Sequence, residues 1–174
     1  MAIQEISIKL AGIKDAETIA DISRTTFYET FAPHNTTRDM DIFLKEQFTR
    51  ESLIAEVGVA CNTFYLAFAG DTLAGYIKLR EHDNPKELKG LKALEIARIY
   101  ATASMLGKGV GSRLMHHAIE LAVQKQKQVI WLAVWEKNQR AMDFYTRWGF
   151  EVFGKQFFIL GTDLQRDWLM KKML

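Results

Sequence analysis

The chain has 174 residues, of which 23 are Lys or Arg and 21 are Asp or Glu, so its net charge is +2. This small charge lacks the basic footprint of a nucleic-acid-binding domain, and a single cysteine excludes an intramolecular disulfide framework. Hydrophobic residues make up 48% of the sequence, enough for a core, but no apolar run is long enough to cross a bilayer. The four histidines lack the spacing of a metal site. We therefore expect a cytoplasmic protein with one domain over residues 1–174 and without nucleic-acid, membrane or metal partners.

Hydrophobic periodicity predicts strands and helices throughout the chain. In chain order, the first predicted elements are a strand at 6–10, a helix capped by Asp15, a helical segment at about 37–48, a hairpin of strands 64–69 and 73–79, and a strand at 94–101. At the other end, a strand at 167–170 is expected to have an exposed edge. Such an edge is compatible with a homodimer.

A glycine-rich turn follows the strand at 94–101 and precedes an amphipathic helix. Three glycines within residues 107–111 allow a ligand to approach the backbone closely, and the free N–H groups of the helix that follows favour phosphate. Lys108 adds a positive charge. The spacing fits neither a Walker loop, since Ser112 follows Gly111 where a lysine is required, nor a dinucleotide fingerprint, whose last glycine is missing.

A second pattern follows the apolar strand at 129–134. Asn138 is a suitable helix N-cap, and Gly149 occupies the position expected of a left-handed C-cap. The residues that form one helical face, at i, i+3, i+4 and i+7, are Ala141, Phe144, Tyr145 and Trp148. This stretch therefore predicts strand, helix and strand in succession.

Together, in this order, the two patterns resemble the GNAT superfamily of N-acetyltransferases. Residues 106–111 match the pyrophosphate loop of that family, Gln/Arg-x-x-Gly-x-Gly/Ala, except that Leu106 replaces the Gln or Arg. Residues 138–150 fill every named position of its pattern Asn-x-x-Ala-x-x-Phe-Tyr-x-x-x-Gly-Phe. The resemblance implies an α/β fold whose mixed, mostly antiparallel sheet of about seven strands is flanked by helices. It also implies that acetyl-CoA is the cosubstrate and that a small-molecule amine accepts the acetyl group in a ternary complex.

The resemblance also assigns the cofactor contacts. The strand backbone would pair with the pantetheine arm, and the loop N–H groups would bind pyrophosphate. Asn138 would reach the pantetheine, while Arg147 would contact the ribose phosphate or serve only as a solvated cation at the helix end. The expected cofactor-binding residues are Ile99, Tyr100, Ala101, Leu106, Gly107, Lys108, Gly109, Val110, Gly111, Ser112, Asn138, Tyr145 and Arg147.

Acetyl transfer to an amine requires a base, an acid for the departing sulfur and donors for the oxyanion. The resemblance assigns the role of the acid to Tyr145, and a hydroxyl in an apolar stripe favours a functional role because it carries a burial cost that a second Phe would avoid. The alternative is a purely structural aromatic residue. Glu95 is a charge within an apolar strand. The resemblance implies that it takes the amine proton, directly or through water, because related enzymes often use a glutamate on this strand. An ion pair with Arg98, or an outward-facing position, is the alternative for Glu95.

Residues 25–40 and 158–163 resemble the bacterial spermidine/spermine N-acetyltransferase branch of the family. The expected acceptor-binding residues are Phe27, Tyr28, Glu29 and Phe31, since aromatic rings beside carboxylates suit a polycation. An amphipathic helix pair with solvated charges would give the same pattern. An acetyltransferase acting on a protein or peptide amine or on a small amine toxin, and a non-catalytic acyl-CoA-binding module, are the alternative functions.

Overall fold

Seven strands form one sheet in the computed structural model, which describes residues 5–82 and 84–174. The strands are β1 (Ile6–Ala11), β2 (Asn62–Ala69), β3 (Thr72–Arg80), β4 (Ala93–Ala101), β5 (Val129–Trp135), β6 (Glu151–Leu160) and β7 (Asp163–Met173). Their order across the sheet is β1-β2-β3-β4-β5-β7-β6. Strands β4 and β5 are parallel, and every other neighbouring pair among the described residues is antiparallel. The mixed, mostly antiparallel sheet predicted from the sequence is confirmed.

Helices cover both faces of the sheet. They are α1 (Ala16–Phe31), α2 (Thr37–Ile42), α3 (Arg50–Glu56), α4 (Val110–Gln124) and α5 (Gln139–Arg147). Helices α4 and α5 pack on one face, here called the α4 face, and bury a core with Leu114, Met115 and Tyr145. Helices α1 to α3 cover the opposite face, the α1 face, where Phe27, Phe43 and other aromatic residues cluster. No helix in the described ranges is both long enough and apolar enough to span a membrane.

The N-terminal helical region differs from the prediction in three places. Asp15 holds the N-cap position of α1, but its carboxylate accepts a hydrogen bond from Gly12 N at 2.9 Å instead of from a helix N–H. The segment expected as one helix at 37–48 changes at Phe43 into a π-helical turn. Helix α3, capped by Thr49, was not predicted. Seven residues carry too few apolar positions to reveal a helical period, which explains the omission.

The exposed sheet edges are also not where the sequence indicated. Strand β7 is paired on both sides, to β5 and to β6, so the expectation of a free edge at 167–170 is wrong. The strands at the two ends of the sheet are β1 and β6. Strand β6 lies outside β7 because the Leu160–Asp163 hairpin folds it back along that strand.

Candidate functional site

Strands β4 and β5 separate part of the way along the sheet. Their pairing ends at Ile96 and Leu132 in the described structure, although β4 continues to Ala101 and β5 to Trp135. Each strand keeps its outer neighbour over the separated part, with Ala101 paired to Gly75 on β3. The result is a gap between residues 97–101 and 133–135, here called the wedge. Backbone groups that border such a gap can hydrogen-bond an extended ligand as an added strand would.

The glycine turn lies between the end of β4 and the start of α4. A short 3₁₀ turn, Ala103–Met105, intervenes, so the strand does not open directly into the helix. Gly109 precedes α4 with φ = 86°, a left-handed conformation that favours glycine, and nothing lies within 4 Å of where its Cβ would be. The first N–H groups of α4 lack partners in the preceding turn and are donors for an anion.

A cleft of about 500 Å³ opens at this turn. Lys108, Gly109 and Ser112 line it, as the sequence predicts for a phosphate site. Five further lining residues were not predicted from the sequence: Glu5, Ile6, Arg113, His116 and Trp148. Arg113 and His116 lie on the exposed start of α4, about one turn or less from Ser112, and their helical spacing from the loop could have revealed them. Lys108 and Arg113 bring two positive charges to the cleft against the single carboxylate of Glu5, a balance that suits phosphate groups.

The other predicted loop residues differ in exposure. Val110 is buried in the α4-face core, and the Leu106 side chain is 47% exposed. A Cβ at Gly111 would touch the Phe144 ring at 3.6 Å, so α4 and α5 approach closely there. Arg147 is exposed at the end of α5 and does not line the cleft at the glycine turn.

Helix α5 begins at the open end of β5 and carries the predicted acid. The Asn138 side chain accepts a hydrogen bond from Ala141 N at 3.2 Å, and Gly149 has φ = 84°, so both predicted caps are confirmed. Asn138 also lines a second pocket of about 220 Å³, which Trp135 borders. Tyr145 is 9% exposed, and burial raises the pKa of its phenol. The phenol is therefore protonated at neutral pH and available as a proton donor.

Tyr100 lies on the α1 face of β4, within the part that borders the wedge. It packs on the α1 face and stacks on Tyr76 with ring centroids 6.0 Å apart. Burial raises the pKa of its phenol, and the charges that Tyr145 and Asp167 carry when ionised raise it further. Ile99 and Ala101, the neighbours of Tyr100 on β4, instead pack against the α4-face core.

Glu95 lies on the paired part of β4, below the wedge. It is 6% exposed and occupies the α1 face, since Leu94 and Ile96 on either side of it belong to the α4-face core. Arg80 donates two hydrogen bonds to its carboxylate, and His82 Nε2 lies 2.6 Å from Oε2. The sequence did not identify these two partners.

Arg98, the ion-pair partner considered for Glu95, binds another carboxylate. Its guanidinium donates to both oxygens of Glu56 on α3, at 2.7 and 3.0 Å. The nearly buried Lys78 also lies 3.0 Å from Glu56. Burial opposes ionisation of Glu56, but Arg98 and Lys78 together lower its pKa. The alternative prediction of an ion pair between Glu95 and Arg98 is therefore wrong. Arg98 instead links β4 to α3 through its ion pair with Glu56.

The predicted acceptor residues on α1 separate into buried and exposed ones. Phe27 and Phe31 are each 8% exposed and stack on each other with ring centroids 4.3 Å apart. Phe31 also lies 5.6 Å from the ring of Trp135 at the end of β5. Tyr28 is 53% exposed. The exposed Glu29 accepts a hydrogen bond from Ala103 N at 3.2 Å, which ties α1 to the segment before the glycine turn.

Hydrogen bonds fasten the α2 region to the β6–β7 hairpin. Asp39 Oδ1 accepts from Thr162 N and Oγ1 at 2.8 and 2.7 Å. Gln165 Nε2 donates to Asn35 Oδ1 at 2.6 Å. Thr36 and Thr162 lower the pKa of Asp39 to about 2. The α1 face beside the wedge is therefore enclosed by α1, α2 and this hairpin.

Comparison with known proteins agrees with this geometry. The acetyltransferase (GNAT) family matches residues 17–150. An uncharacterized N-acetyltransferase of Lactobacillus delbrueckii subsp. lactis is 37% identical over 169 residues, which cover 97% of this chain and 98% of the relative. A protein of Thermoplasma acidophilum named spermidine N(1)-acetyltransferase is 26% identical over 151 residues, covering 84% of this chain and 89% of that protein.

Among solved structures, the fold is shared by the PaiA N-acetyltransferase from Thermoplasma acidophilum in complex with coenzyme A. The TM-score is 0.78 at 24% identity, with 98% of this chain and 99% of the other covered. The separated parallel strands, the glycine turn and the family match over most of the chain lead to one assignment. The chain belongs to the GNAT acetyltransferase family and is an N-acetyltransferase that uses acetyl-CoA as its cosubstrate.

Proposed function

We propose that the enzyme transfers the acetyl group to a primary amine of a polyamine, such as spermidine or spermine, by direct attack in a ternary complex. The main observation in support of this proposal is the wedge between β4 and β5. It gives the thioester a place between β4 and β5, with the cationic cleft on the α4 face and an enclosed surface on the α1 face. Donor and acceptor can therefore enter from opposite faces and meet at the wedge.

On the donor side, the coenzyme A pyrophosphate binds the turn at 107–112 and the cleft beside it. The pantetheine arm lies in the wedge and pairs with the backbone of 99–101. Asn138, at the open end of β5, contacts that arm, and Arg147 remains a candidate for the ribose phosphate. One N–H of the β4 segment polarises the thioester carbonyl.

The proton transfers follow from this arrangement. The amine loses a proton to Glu95, directly or through water, and its nitrogen lone pair attacks the thioester carbon. The tetrahedral intermediate collapses with cleavage of the C–S bond. The sulfur takes the proton of Tyr145, and the second proton of the attacking nitrogen passes to the resulting tyrosinate, directly or through water. The amide and the free coenzyme A thiol then leave, and Glu95 releases its proton to solvent. Tyr145 suits this role because its buried phenol is protonated at neutral pH.

Two observations support a polyamine acceptor. The Thermoplasma relative is named for acetylating spermidine, and the match to it extends over 84% of this chain. The α1 face beside the wedge combines aromatic rings, among them Phe31 and Trp135, with carboxylates, as a polycation requires. Tyr28 and Glu29 are the exposed members of the predicted acceptor set, and Phe27 and Phe31 support them from the core.

The test measures release of free thiol from acetyl-CoA with spermidine, spermine, amino acids and a lysine peptide as acceptors. The proposal expects turnover with the polyamines at a kcat/KM at least tenfold above that of the other amines. Greater activity on the lysine peptide would assign a protein amine acceptor instead. Activity confined to small monoamines would assign a small amine toxin or a related compound.

A homodimer and a cytoplasmic location stay predictions, as does a single domain over 1–174. Strand β6 is the edge through which a dimer would form, and its side chains Phe157 and Ile159 are 64% and 54% exposed. The mass of the protein in solution, measured by light scattering, tests this expectation. A mass of 20 kDa would contradict the dimer.

A further inference from the structure

Asp167 occupies a position beside the wedge that the sequence analysis did not single out. It lies on β7 directly opposite Trp135, the last residue of β5. Gln165, two positions away on β7 and hence on the same face, donates to Asn35, which follows α1. Asp167 therefore lies on the α1 face, where the acceptor is proposed to enter.

The Asp167 carboxyl differs from the other half-buried or buried carboxylates nearby because it has no cationic partner among the described residues. Glu95 binds Arg80, Glu56 binds Arg98, and Glu136 binds Arg166. The hydrogen-bond partner of Asp167 is the amide of Gln156, at a long 3.5 Å. Burial raises the pKa of Asp167, and the charge of Glu136 raises it further. A half-buried carboxylate without a cation is costly, and a positively charged ligand would offset that cost.

Aromatic side chains border the same region. Trp135 is paired with Asp167 across the strands, and Phe158 packs in the same α1-face cluster as Trp135. Tyr100 lies close enough to Asp167 for the carboxylate charge to raise the pKa of its phenol. Aromatic rings beside an anion suit a cation through cation–π attraction, and the Lys137 ammonium already lies 5.8 Å from the centroid of the Trp135 ring.

Asp167 is too far from Glu95 for both to contact the same amine. In register, Glu95 lies opposite Trp131, whereas Asp167 lies opposite Trp135, four residues further along β5. Four residues extend about 13 Å along a strand, and two strand spacings add about 10 Å across it, so the two backbones are roughly 16 Å apart. An acceptor that reaches both carboxylates must carry charged groups separated by several bonds.

We propose that Asp167 binds the ammonium group of a diamine or polyamine acceptor that is not acetylated, while the reacting amine lies at the wedge near Glu95. The inference rests on the proposed function. It makes Asp167 a determinant of acceptor choice, because a monoamine of the same length has no group for this carboxylate to bind.

The experiment compares 1,8-diaminooctane with n-octylamine, together with spermidine, for the wild type and Asp167→Asn. Asn keeps the size of the side chain and can still hydrogen-bond Gln156, so the fold is retained. The KM for the diamine and for spermidine should rise about 10- to 100-fold, as expected for loss of a hydrogen bond between charged groups. The kcat should change less than threefold, and the KM for n-octylamine should be unchanged. Asp71→Asn, an exposed position in the β2–β3 turn, is the matched control and should change none of these values.

Binding of coenzyme A to Asp167→Asn, measured by calorimetry, checks the integrity of the donor site and should equal that of the wild type. An unchanged KM for the diamine would overturn the inference and leave the proposed function intact. A fall in kcat with both amines at constant KM would also overturn it, because the residue would then act on the reaction rather than on acceptor choice. Absence of turnover by the wild type with every amine would overturn the proposed function and the inference together.

Discussion

Arg80 holds the Glu95 carboxylate with two hydrogen bonds, 2.7 Å from Nε to Oε2 and 3.0 Å from Nη2 to Oε1. His82 adds a third contact at 2.6 Å to Oε2. The Glu95 side chain is 7% exposed, whereas His82 is 34% exposed. His82 is therefore the more exposed member of this contact. These contacts fix the orientation of the carboxylate that the proposed mechanism uses as its base.

Replacing Glu95 by Gln should lower kcat about 100-fold, because the amine proton then has no acceptor. The change also leaves Arg80 without its charged partner and should reduce the free energy of unfolding by about 1–3 kcal/mol. Thiol-release kinetics and urea denaturation measure the two effects separately. Glu151→Gln, an exposed position on β6, is the control and should alter neither. A variant with normal kcat but reduced stability would show that Glu95 serves only as an ion-pair partner.

Replacing Tyr145 by Phe should lower kcat about 100-fold at neutral pH while leaving the dissociation constant of coenzyme A unchanged. The ring keeps its contacts with Phe144 and Phe150, so only the proton donor is lost. Kinetics with the preferred amine and calorimetry with coenzyme A give the two values. Tyr65→Phe, at another tyrosine packed against the α4-face core, is the control. Equal rates for Tyr145→Phe and wild type would remove the phenol from the mechanism.

The sequence was most informative where function depends on local backbone geometry. The glycine turn and the helix from Asn138 to Gly149 were predicted because caps, left-handed glycines and helical spacing are encoded within a few consecutive residues. The strands that flank them were predicted from short apolar segments bounded by turn residues. The proposed donor side is built from these local patterns.

The proposed acceptor side was less predictable because segments that are distant in the sequence form it. Glu95 receives its partners from residues 80 and 82 on another strand, and Arg98 receives Glu56 from a helix that was not predicted. Asp167 could be recognised as a candidate residue only from the strand register, which places it opposite Trp135. Phe27 was expected at the acceptor surface but belongs to the core, since aromatic residues on a helix look the same in sequence whether they face a ligand or one another.

Replacing Gly109 by Ala should weaken coenzyme A binding about tenfold. There is space for the methyl group, but φ = 86° is strained for any residue with a Cβ by about 1–2 kcal/mol. The turn should relax towards negative φ and move the N–H groups of α4 away from the pyrophosphate. Calorimetric titration with coenzyme A measures the effect. Gly12→Ala is the control because that glycine has open space and φ = −131°. Equal affinities for the two variants would show that the turn geometry does not determine phosphate binding.

Replacing Asp39 by Asn should change how stability depends on pH in the acid range. Hydrogen bonds from Thr36 and Thr162 hold the pKa of Asp39 at about 2 in the folded protein, below its ordinary value of 3.8. A carboxyl with a lowered folded pKa stabilises the protein fully above pH 3.8, and this contribution disappears as the pH falls through about 2. The melting temperature of the wild type should therefore exceed that of Asp39→Asn at pH 5, and the difference should shrink between pH 4 and pH 2.

The control variant Asp71→Asn should have the melting temperature of the wild type at every pH in this range. A difference that stays constant down to pH 2 would mean that the variant perturbs packing between α2 and the β6–β7 hairpin rather than removing an ionised contact.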